Sequence, residues 1–84
     1  MKQDKELGRL ILEVVESQLT ANEPPETQAT LDRLVTQGIA VEEAKRLIAC
    51  VVSSEIFETL KLQNPYDHER YVAALNRLPR LPWD

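Results

Sequence analysis

Apolar residues recur along this chain at spacings of three and four, which marks amphipathic helices rather than strands. Leu7, Leu10, Ile11, Val14, Val15 and Leu19 define one helical face, with Gln18 its only polar intruder, and predict a first helix over about residues 3–21. Asn22, Glu23, Pro24 and Pro25 end it, because proline lacks the amide a helix interior needs and disfavours helical geometry in the residue before it. The same prolines suit the opening of a second helix, over about 25–37, with Glu26 at its positive end. Its apolar face is built on Leu31, Leu34 and Val35, and Gly38 is placed to take the left-handed geometry that closes helices.

A third helix is predicted over about 41–62, with Glu42 and Glu43 in its first turn. It carries two apolar stripes. Ala44, Leu47, Ile48 and Val51 share one, while Ala49, Val52, Ile56 and Leu60 form another a quarter to a third of a turn away. A helix apolar on two sides is a central helix, with neighbours expected on both. Asn64 and Pro65 break the chain again, and Asp67 suits the cap of a short fourth helix over about 68–77, with Tyr71, Ala74, Leu75 and Leu78 inward. Pro79 and Pro82 space the final residues as an extended tail that offers Leu81 and Trp83. The fold class is therefore all-α: one domain, a small bundle of four helices around a long third one, with helices 1 and 2 over the first stripe and helix 4 with the tail over part of the second.

Length sharpens this picture. A chain of 84 residues has room for one domain only. Such a domain buries roughly 60–65% of its unfolded surface, so its core is thin and association would relieve the shortage. The longest apolar run, around Leu47 to Val52, falls well short of the roughly 18 residues that a membrane span needs. The formal charge of −4 is spread along the chain without a basic footprint, so no nucleic-acid partner is expected. A helix-turn-helix reading of the second and third helices would set Glu42 and Glu43 against phosphates. One cysteine excludes an internal disulfide, and charges from Lys2 to Arg9 argue against a signal peptide; a cytoplasmic location is expected.

Chemistry is sparse. With one histidine, one cysteine and two glycines, the chain offers neither a convergent nucleophile–base set nor a glycine-rich phosphate loop. Cys50 lies in an apolar run and reads as a buried, inert thiol, and His68 as a surface residue at the start of helix 4. Glu55 is the most informative acid, because it interrupts the first stripe four residues after Val51. A carboxylate there either reaches solvent, pairs with an arginine such as Arg33 or Arg70, holds a metal, or serves an oligomer contact. Arg70, Arg77 and Arg80 offer the only hint of an anion site, against the plainer reading of a solvated face.

The stretch from Val14 to Leu62 resembles a family of short bacterial helical proteins of unknown function, through Gln18-Leu19, Pro24-Pro25-Glu26-Thr27, Arg33-Leu34, Gly38, Ile48 and Glu55-Ile56. The Pro-Pro-Glu-Thr element is the most specific part. Many members carry histidines four apart on the first and third helices, an arrangement suited to a metal. The matching positions here are Gly8, Leu12, Glu42 and Arg46, none of them histidine, which leaves Glu42 alone able to ligate.

These observations favour a non-enzymatic module for protein–protein interaction or self-association, without cofactor or metal. The expected partner is a second copy in a twofold dimer, or another protein, through an interface including Val52, Glu55, Ile56, Leu60 and Trp83. The rival cover for the second stripe is the tail, folded back through Leu81 and Trp83. The rival function is an altered metal-binding bundle using Glu42, Glu55 and His68.

Overall fold

A computed structural model describes residues 2–84, except for the side chains of 2–5 and 7, so the expected inward position of Leu7 lies outside the described residues. Four helices follow in order: α1 (Lys2–Ala21), α2 (Pro25–Thr36), α3 (Val41–Leu60) and α4 (His68–Arg77), with no strand among the described residues. The all-helical expectation holds, and α3 packs on each of the other three helices. Their connections explain the boundaries. Asn22 takes a left-handed backbone (φ 54°), letting the Glu23 amide donate to the Gln18 carbonyl at 3.0 Å. Gly38 does the same after α2 (φ 95°), with Gly38 N donating to Val35 O at 2.9 Å and Ile39 N to Leu34 O at 3.1 Å. Pro25 opens α2 at a position that needs no amide donor. The Asp67 side chain caps α4 by accepting from Arg70 N at 3.1 Å.

The core gathers Ile11 and Val15 from α1, Leu34 from α2, Ile48, Val51 and Val52 from α3, and Tyr71, Leu75 and Leu78 from α4 and its end. Several expectations need correction. The buried face of α2 is Thr27, Thr30 and Leu34, with Leu31 half-buried and Val35 exposed. It is rotated toward the threonines because the Thr27 hydroxyl finds partners inside the bundle. α1 runs antiparallel to α3, since Lys45 near the start of α3 donates to Glu16 near the end of α1 at 2.7 Å while Ile11 borders Ile56 and Leu60. Thus α1 flanks the second stripe, and α4 comes to the Glu55 side of the first, drawn there by Arg70. The tail is not extended throughout: Leu78 has extended backbone angles (φ −57°, ψ 142°), but two turns are closed by Arg80 N donating to Arg77 O and Asp84 N to Leu81 O. Cys50 is half-buried rather than buried.

Candidate functional site

α1 presents two rows of apolar side chains. Ile11 and Val15 point into the core, whereas Leu10 and Val14, one position earlier in each turn, remain exposed on its shoulder. α3 behaves alike in its last turns: Val52 is buried, but Ile56, Phe57 and Leu60 are exposed. Leu60 is 75% and Phe57 53% exposed. Val14 meets Ile56 and Leu60 along one groove, Phe57 meets them along another, and Leu10 shares a recess with Val14 on the outer side of α1, so the five continue one another as an apolar strip across α1 and α3.

Two grooves flank its ridge. One, of about 380 Å³, lies between α1, α3 and the connection to α4, with Val14, Ile56 and Leu60 as walls and Gln18, Glu55 and Tyr71 contributing polar groups. The other, of about 370 Å³, lies on the opposite side between Ile11, Phe57 and Lys61, and Ile56 and Leu60 line both.

The polar groups of the first groove are satisfied from within. Gln18 Oε1 accepts from Thr27 Oγ1 and from the Tyr71 hydroxyl, each at 3.0 Å. Glu55, whose side chain is 12% exposed, receives Arg70 Nε at 3.2 Å, Arg70 Nη2 at 2.6 Å and the Asp67 amide at 3.4 Å. Of the alternatives open for Glu55 from the sequence, pairing with Arg70 is the one observed. Arg33 is occupied elsewhere, donating to the Leu75 and Leu78 carbonyls at the end of α4 at 2.9 and 3.0 Å.

Burial opposes ionisation of the two phenols lining this groove and of the Cys50 thiol, which lines neither groove. Burial pushes the Tyr71 phenol up, burial and then Glu55 push Tyr66 up, and burial and then Glu43 push the Cys50 thiol up. The hydrogen bond from Arg70 to Glu55 raises the guanidinium, securing its charge. Tyr66 and Tyr71, which line the first groove, are thus both held toward the protonated phenol.

His68 stands between Tyr66, whose hydroxyl is 3.1 Å from Nδ1, and Glu26, whose Oε2 is 3.5 Å from Nε2. Glu42 is exposed at the start of α3. The rival ligand set of Glu42, Glu55 and His68 is thus not assembled, and among the described residues no three His, Cys, Asp or Glu side chains converge as a metal would need. Nor do Arg70, Arg77 and Arg80 act together, since Arg70 belongs to Glu55. No helix among the described residues is long and apolar enough to cross a membrane.

Of the interface residues named from sequence, Ile56 and Leu60 lie on the apolar face, Val52 supports it from the core, and Glu55 sits at the wall of the first groove. Trp83 is 63% exposed but lines neither groove. Sequence reasoning placed Leu10 and Val14 inward with Ile11 and Val15 and so missed that they form an outward row on α1. It also missed the role of Gln18 as acceptor for two hydroxyls.

Comparison of the chain with protein-family models, with curated proteins and with solved structures finds no match.

Proposed function

We propose that this chain is a non-enzymatic protein-interaction module whose binding surface is the α1/α3 face. The observation that carries the reading is the adjacency of Leu10, Val14, Ile56, Phe57 and Leu60, all exposed on a domain with only a thin core. Scattered exposed apolar residues are ordinary, but a contiguous set flanked by grooves is the usual mark of an interaction site. The carboxylate lining the first groove, Glu55, is neutralised by Arg70, and Glu13 beside Leu10 and Val14 is exposed and falls to the polar rim, so an apolar partner can enter the groove without stranding a charge.

The test is co-purification from the native cell of the wild type and of a Phe57→Ser/Leu60→Asp variant, with folding verified by circular dichroism. A protein recovered with the wild type and lost from the folded variant supports the reading. Equal recovery with both moves the binding surface elsewhere.

A further inference from the structure

We infer that the α1/α3 face is the contact between two copies of this chain, related by a twofold axis, with Phe57 and Leu60 of each copy seated in the grooves of the other. The inference rests on the proposed reading of that face as an interaction surface and names its occupant.

Shape is the first argument. A twofold contact requires a patch complementary to itself, with projecting and recessed features side by side. Here Phe57 and Leu60 project from the last turns of α3, and the grooves of about 380 and 370 Å³ open on either side of Ile56 and Leu60. Because Leu60 borders both grooves and Phe57 borders one, a second copy can fill each recess with the same side chains that wall it.

Area is the second. From their fractional exposures, Leu10, Val14, Ile56, Phe57 and Leu60 leave on the order of 450 Å² uncovered, against roughly 800 Å² per partner for a standard stable interface. With a polar rim added, the contact belongs to the weak, concentration-dependent class. A second copy also supplies the apolar cover that a domain of 84 residues is short of.

The chain's own tail is not the cover. Leu81 packs on the core, and no residue after Tyr71 lines either groove. Within the larger groove Glu55 is held by two hydrogen bonds from Arg70, so an entering leucine or phenylalanine leaves no unpaired charge.

Analytical ultracentrifugation of the full chain, from micromolar to millimolar concentration, tests this directly. The average mass of the wild type is expected to climb from 9.6 kDa toward twice that value, and Leu60→Asp to stay at 9.6 kDa throughout. Trp83→Ala is expected to associate like the wild type. Should Leu60→Asp fail to fold, amide shifts of the wild type followed against concentration give the second measurement, and they should move along α1 and the last turns of α3. A wild type that remains at 9.6 kDa, association that survives in folded Leu60→Asp, or shifts confined to other surfaces would overturn the inference. Native mass spectrometry showing a small molecule retained in the groove of a monomeric chain would overturn it as well. Failure here is distinct from failure of the broader reading: a monomeric chain that still co-purifies a protein through Phe57 and Leu60 keeps the interaction surface and loses only the second copy as its occupant.

Discussion

Tyr71 and Gln18, 53 residues apart, meet with the phenol hydroxyl 3.0 Å from the amide oxygen, and Thr27 joins them at 3.0 Å from Gln18 and 3.1 Å from Tyr71. This junction links α1 to α4, whose backbones make no close approach among the described residues. Three oxygens share two hydroxyl protons. Gln18 Oε1 lies within reach of both hydroxyls and the hydroxyls within reach of each other, so removal of either leaves the other to donate to the amide oxygen. Tyr71→Phe and Thr27→Val are each expected to lower stability by about 1 kcal/mol, read as a lower urea midpoint at unchanged slope.

The same phenol sets an alkaline limit. Burial raises Tyr71, so the folded chain keeps its proton to higher pH than the unfolded chain, which releases it near about pH 10. Within that window the native state binds more protons. Stability is therefore complete below about pH 10 and declines as pH rises from there through the folded value. Tyr66 is raised in the same direction and contributes a decline of the same sign. Urea titrations between neutrality and alkaline pH should show a shallower loss for Tyr71→Phe than for the wild type; parallel curves would refute the linkage.

Much of the fold was legible because its local signals agree. Apolar spacing gave four helices, Gly38 and the Pro24–Pro25 pair supplied stops and starts, and Asp67 capped where its side chain could accept a hydrogen bond from the Arg70 amide. The errors arose where tertiary pairing outranked periodicity. Thr27 is buried in place of Val35 because a hydroxyl with two partners loses nothing by burial. α4 lies beside Glu55 because Arg70 meets that carboxylate with two nitrogens, a contact fixed by the path of residues 61–67 rather than by any period. In the candidate site, Ile56 and Leu60 were readable as surplus apolar residues. Leu10 and Val14 were not, because which of two adjacent rows on α1 turns inward depends on how α1 lies against α3.

The Glu55–Arg70 pair should behave as a unit. Glu55 is largely buried, so Arg70→Met leaves a carboxylate that retains only the Asp67 amide at 3.4 Å. Replacing both partners, as in Glu55→Leu/Arg70→Met, removes the stranded charge with its partner. The double variant is expected to be more stable than Arg70→Met alone. A double-mutant cycle in urea measures this, and additive effects of the two changes would show that the pair is not coupled.

Gly38 offers a backbone test free of packing effects. Its φ of 95° belongs to the left-handed region, and a Cβ built there meets nothing within 4 Å. Gly38→Ala therefore introduces conformational cost without a clash, expected at about 1 kcal/mol. Calorimetry should show a lower melting temperature with unchanged helix content, and an unaltered melting temperature would place the end of α2 in a different geometry.

The tail should separate into a structural half and a free half. Leu81 packs against the core cluster, and its amide is held by Asp84 Oδ2 at 3.2 Å, so the turn it begins belongs to the fold. Trp83, in the middle of that turn, is 63% exposed. Leu81→Ala is expected to cost about 1–2 kcal/mol, less than a fully buried leucine because part of the side chain already meets water. Trp83→Ala should change stability by under about 0.5 kcal/mol, as surface replacements do. Deleting residues 79–84 should then match Leu81→Ala in urea, since Leu81 supplies most of the tail's apolar burial. The result is informative for the α1/α3 face as well. Because the tail lines neither groove there, the truncated chain should keep whatever association the intact chain shows, and loss of association on truncation would assign Trp83 to the contact.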